Sequence, residues 1–144
     1  MELDRFNGAV YDGTRRFAQR DAAATKGTGF TAGADDYAER GIDLNEQLVR
    51  NKPATFFLRV NGDSMQNAGI HSGDVVIVDR SLKPVSGKIV IVTLNGEMLI
   101  RRLEISFGKL RLIPETSRLA PIDVDPSGAE FSIWGVVTYV IHAV

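Results

Sequence analysis

The chain contains no cysteine, so neither a disulfide framework nor a thiolate metal site is available to it. Histidine is almost as scarce. The only two, His71 and His142, are too few for a histidine-rich centre. His71 falls in a loop before Gly73 and His142 at the end of the last predicted strand, and both are expected to be structural or solvent-facing. No metal and no other cofactor is therefore expected. Long apolar runs are also missing: none approaches the ~20 residues that a membrane span needs, and Met1 to Asp21 is charged throughout, without a signal-peptide core. The expectation is a cytoplasmic protein that is not in a membrane. Nor is there an excess of one charge, since 17 basic and 18 acidic side chains give a net charge of −1. That removes any overall pull toward nucleic acid or an anionic surface.

What is present fits one globular core in 144 residues, with 44% hydrophobic and 24% charged side chains. Residues 1–40 are read as a flexible N-terminal arm: after a possible helical turn over Arg15 to Ala24, Gly27, Gly29 and Gly33 leave the backbone permissive. Residues 41–144 are read as the body. Its one helix is predicted over Ile42 to Arg50, opened by Asp43. Short apolar runs separated by turn residues then predict strands at Phe56–Val60, Val75–Asp79, Ile89–Leu94, Met98–Leu103, Leu110–Ile113 and Phe131–Ile141. Asn95-Gly96 predicts a two-residue hairpin turn. Val75 to Val78 and Ile89 to Val92 are apolar at every position, which predicts strands buried on both faces. The fold class expected is mainly β, a curved sheet preceded by the arm.

The sequence Asn61-Gly62-Asp63-Ser64-Met65 follows one predicted strand and leads through Gly69-Ile70 and Gly73-Asp74 into the next. Taken alone, Gly-Asp-Ser is a common turn. Together with Val78-Asp79 and Gly87-Lys88-Ile89-Val90, however, it resembles the peptidase body of the LexA/UmuD family of serine self-cleaving proteins. The likeness begins around Gly29-Phe30 and Asp36-Tyr37, runs through Ile42-Asp43-Leu44-Asn45 and reaches Trp134-Gly135-Val136-Val137. It implies a curved, partly barrel-like sheet of the LexA/UmuD C-terminal type.

The resemblance also implies a site. The family's nucleophile maps onto Ser64, and a serine hydroxyl needs a neighbouring base to take its proton. In the family that base is a buried neutral lysine. The matching position here is Arg101, in Gly96-Glu97-Met98-Leu99-Ile100-Arg101-Arg102-Leu103. A guanidinium stays protonated beyond about pH 12 and has no lone pair to offer. Self-cleavage is therefore expected to be impaired. The scissile bond maps onto Thr28-Gly29, with Ala32-Gly33 an alternative reached by shifting the alignment.

For function, the resemblance implies a UmuD-like protein of the SOS response, an accessory subunit of an error-prone translesion polymerase. The implied partners are a second copy of the chain, a Y-family (UmuC-like) polymerase subunit and the RecA–single-stranded DNA filament. A LexA-type repressor needs a helix-turn-helix domain before the cleavage site, and the residues ahead of Gly29 show no apolar core pattern. Sequence-specific DNA binding is accordingly not expected. The alternative is a LexA-family peptidase, or a repressor-related interaction module, with active self-cleavage.

Overall fold

The structure, a computed structural model, describes residues 2–5, 41–125, 127–128 and 130–144. These fall into two units, one holding residues 2–5 with everything from Asn51 onward, the other represented by residues 41–50. The rest of the expected arm lies outside the described residues.

In the smaller unit a short helix, α1, spans Leu44–Leu48. Asp43 caps it, its Oδ1 accepting the backbone N–H of Asn45 at 3.0 Å, which satisfies one of the donors that a helix start leaves without an internal partner. The helix is shorter than the predicted Ile42 to Arg50 because Val49 already has extended backbone angles.

Among the described residues the larger unit holds one antiparallel sheet of eight strands: β1 (Leu3–Arg5), β2 (Thr55–Val60), β3 (Val75–Asp79), β4 (Ile89–Leu94), β5 (Glu97–Ser106), β6 (Lys109–Ile113), β7 (Ile122–Val124) and β8 (Phe131–Ile141). Their spatial order is β1-β2-β3-β8-β4-β5-β6-β7. All six predicted strands are there. The β4–β5 hairpin turns at Asn95-Gly96, where φ is 50° and 83°, the pair of positive angles that a type I′ turn requires. Two strands escaped prediction, β1 and β7, each only three residues long.

Strand β8 inserts between β3 and β4, and it carries the sheet's irregularities. Its pairing steps from Ile77↔Tyr139 to Val78↔Val137 on one side and from Ile91↔Gly135 to Val92↔Ile133 on the other. Thr138 and Trp134 are thus the extra residues of two bulges. A bulge bends its strand and increases local twist, so the predicted curvature has a source within β8.

Apolar side chains pack on both sides of the sheet. Ile91 and Ile100, paired across β4 and β5, join Leu3, Leu58, Val60, Met65, Ile70, Val76 and Val78 in one cluster. Val90, Val92 and Leu103 point the other way, into a cluster with Leu112, Val124 and Val136. This explains the uninterrupted apolar runs: Val76 to Val78 and Val90 to Val92 are all at most 1% exposed. Each such side chain contributes roughly 1.5–3 kcal/mol relative to an exposed one.

Candidate active site

The loop after β2 carries the first candidate. Gly62 has a φ of 106°, a backbone angle that side chains disfavour, and its N–H donates to Ser72 Oγ at 3.1 Å. The chain then turns inward. Ser64 is 4% exposed, and Met65, at 1%, inserts into the first apolar cluster and anchors the loop. The loop is also stitched to the segment following β6, because Glu115 N–H donates to the Ser64 carbonyl and Asn67 N–H to the Glu115 carbonyl, both at 2.8 Å. Strand β5 reaches the same segment through Arg102, whose Nε donates to Glu115 Oε1 at 2.5 Å and whose Nη1 donates to the Gly87 carbonyl at 2.8 Å.

Arg101, next to it, projects from the opposite side of β5 and is 6% exposed. Its Nη1 donates to Glu2 Oε1 at 3.0 Å, to Glu2 Oε2 at 2.8 Å and to the Ile100 carbonyl at 2.7 Å. Its Nε is buried and has no hydrogen-bond partner among the described residues. Glu2 does more than neutralise the guanidinium. Its carboxylate also accepts the Ile100 N–H at 3.0 Å, and its backbone carbonyl accepts the N–H of Asn61, at the entrance to the Ser64 loop. One residue thus joins β5 to the start of that loop, and the pairing of Leu3, Asp4 and Arg5 with Val60, Arg59 and Leu58 holds it there.

Ser64 and Arg101 are 37 positions apart in sequence, and the fold draws their neighbours Met65 and Ile100 into one cluster. Chemically, an arginine held by a carboxylate supplies fixed positive charge and hydrogen bonds; it does not supply a base. The other predicted site residues, Thr28 and Gly29, together with the alternative Ala32-Gly33, lie outside the described residues. Sequence reasoning missed Glu2, for which no spacing or motif gave a signal.

A second grouping brings together the two histidines, half-exposed as expected, around one buried carboxylate. Strand β3 pairs with β8 so that Val75 faces Ile141, and the next residues outward, Asp74 and His142, meet as a consequence. His142 Nδ1 lies 2.6 Å from Asp74 Oδ1, and His71 N–H donates to Asp74 Oδ2 at 2.8 Å. Burial opposes ionisation of the Asp74 carboxyl, but the His71 N–H, the His142 hydrogen bond and the two imidazole charges together hold its pKa below the ordinary value.

Comparison with known proteins agrees with this architecture. A family model described as peptidase S24-like matches residues 22–138. The chain belongs to that family. Among its S24-like relatives, protein SamA of Salmonella typhimurium is 40% identical over 119 residues, covering 79% of this chain and 78% of SamA. Protein MucA of Escherichia coli is 39% identical over 111 residues, covering 77% and 75%. LexA repressor 1 of Xanthomonas campestris pv. campestris is 41% identical over 108 residues, which is 75% of this chain and 53% of the repressor. The LexA/UmuD resemblance and the mainly β fold are both borne out.

Proposed function

We propose that this S24-like protein is a UmuD-type accessory subunit of an error-prone translesion polymerase in the SOS response, with self-cleavage impaired at the general base. One observation carries the second half of this reading: the side chain at the family's lysine position, Arg101, is buried and held by the Glu2 carboxylate. Without a base, Ser64 keeps its proton and remains a poor nucleophile. Loss of a general base costs ~10²–10⁴ in rate, or about 3–5 kcal/mol of barrier.

The accessory role is supported by the matches to SamA and MucA over three quarters or more of both chains. In this reading the body forms a homodimer in the cytoplasm, the arm carries the Thr28-Gly29 bond, and the partners are a Y-family (UmuC-like) polymerase subunit and the RecA–single-stranded DNA filament. Among the described residues no helix is long and apolar enough to cross a membrane.

The test is to incubate the purified chain with RecA, single-stranded DNA and nucleotide and to follow it by mass. The chain should stay largely intact, and a polymerase subunit should copurify with it from its own cells. Rapid appearance of a fragment beginning at Gly29 would refute impairment while leaving the family role standing. Tight, sequence-specific binding to duplex DNA at physiological salt would instead favour a repressor.

A further inference from the structure

His71, Asp74 and His142 form a cluster that the serine chemistry does not use. One potential ligand atom from each lies within 4.8 Å of the other two. Two neutral imidazoles and a carboxylate are a common ligand set for zinc-type ions, which bind nitrogen at about 2.0–2.1 Å and carboxylate oxygen at about 2.0–2.2 Å. Tetrahedral geometry at those lengths separates the ligand atoms by roughly 3.4 Å. The spacing from His71 Nδ1 to Asp74 Oδ2, 3.7 Å, is already close to that. The 2.6 Å contact between His142 Nδ1 and Asp74 Oδ1 needs to open by less than about 1 Å.

Two further observations point to a ligand. His71 Nδ1 is buried and has no hydrogen-bond partner among the described residues, an unfavourable arrangement for a polar atom that a bound cation would relieve. Asp74, whose side chain is 3% exposed, has its Oδ2 oriented by the His71 N–H, the kind of outer contact that fixes a ligating group. The imidazole rings as a whole are 44% and 49% exposed, so the cluster lies near the surface, where a bound ion would keep a water in its fourth position.

We infer that His71, Asp74 and His142 bind a divalent zinc-type cation. The ion clamps the residue following β8 to the turn that precedes β3. That turn is fastened in its own right to the strand leading into the Ser64 loop, through Val60 N–H to the Asp74 carbonyl and Gly73 N–H to the Val60 carbonyl, both at 2.8 Å. Metal binding at this place therefore stabilises the end of the sheet and the base of the loop together.

The experiment uses the full-length, untagged chain, stripped with chelator and titrated with Co²⁺ and then Zn²⁺. Expected are visible d–d bands saturating at one Co²⁺ per chain, their displacement by Zn²⁺, and a melting temperature that rises with Zn²⁺ concentration. His71→Ala and His142→Ala, at half-exposed positions, should each weaken binding at least tenfold. Because these are the only two histidines, imidazole NMR of the unsubstituted chain gives a readout that needs no variant: both rings should be paramagnetically shifted by Co²⁺. Absence of the bands and of the thermal shift overturns the inference. So does a Zn²⁺ response that His142→Ala leaves unchanged, or Co²⁺ that shifts neither ring.

Discussion

The carboxylate of Glu2 accepts two hydrogen bonds from Nη1 of Arg101, at 2.8 and 3.0 Å, and thereby ties the second residue of the chain to the middle of β5. The two side chains are 20% and 7% exposed, so neither charge is well hydrated. Removing one partner of such a pair leaves the other uncompensated, whereas removing both can be nearly neutral. Glu2→Gln should destabilise the fold by about 1–3 kcal/mol, and adding Arg101→Met should recover part of that loss. Urea unfolding of the two variants measures it; equal stability of Glu2→Gln and the unsubstituted chain would show that the pair contributes nothing.

Gly135 sits within β8 between the two bulges. A Cβ placed there meets Val78 Cγ1 at 2.5 Å and Arg80 Cγ at 3.3 Å. Arg80 cannot simply swing aside, since its Nε donates to the Trp134 carbonyl at 2.8 Å and its guanidinium lies 4.6 Å from the Trp134 ring centre. Gly135→Ala should therefore cost about 1–3 kcal/mol through overpacking. Thermal unfolding reads it directly, and a variant as stable as the parent would mean that β8 shifts more freely than its pairing suggests.

The outer end of β8 leaves Tyr139, Val140 and Ile141 partly exposed, at 38–47%. An association through this strand would cover them, in keeping with the proposed homodimer. Sedimentation at micromolar concentration should show a dimer, and Ile141→Glu should shift it toward monomer. A monomeric parent chain would count against the proposal.

The sheet was largely legible because β2 to β6 and β8 are apolar runs bounded by turn residues, and Asn95-Gly96 fixes one hairpin from two residues alone. Strands β1 and β7 were not legible. Leu3-Asp4-Arg5 has no strand pattern of its own and becomes a strand only by pairing with β2, just as Ile122-Asp123-Val124 depends on β6. The same limit governs the sites. Gly62-Asp63-Ser64-Met65 is local and readable, as is the arginine in the basic pair of β5. Contacts of Glu2 with Arg101 and of Asp74 with His142 join residues 99 and 68 positions apart, and only strand register brings them together.

The position occupied by Arg101 offers the sharpest prediction, resting on the proposed Ser64 nucleophile. Arg101→Lys should restore cutting near Thr28-Gly29 by ~10²–10⁴ over the parent chain, and Ser64→Ala in that background should abolish it again. The rate should rise with pH, because only the neutral lysine accepts a proton. Glu2 complicates the rescue in a defined way. A carboxylate beside an ammonium favours the charged form and raises the lysine pKa, so the Glu2→Gln, Arg101→Lys pair should reach its plateau at lower pH than Arg101→Lys alone. Mass spectrometry of the fragments across a pH series separates the possibilities. If the two profiles coincide, Glu2 does not face the restored base; if the unsubstituted chain cuts itself rapidly through Ser64, another base serves the serine and Arg101 does not disable the site.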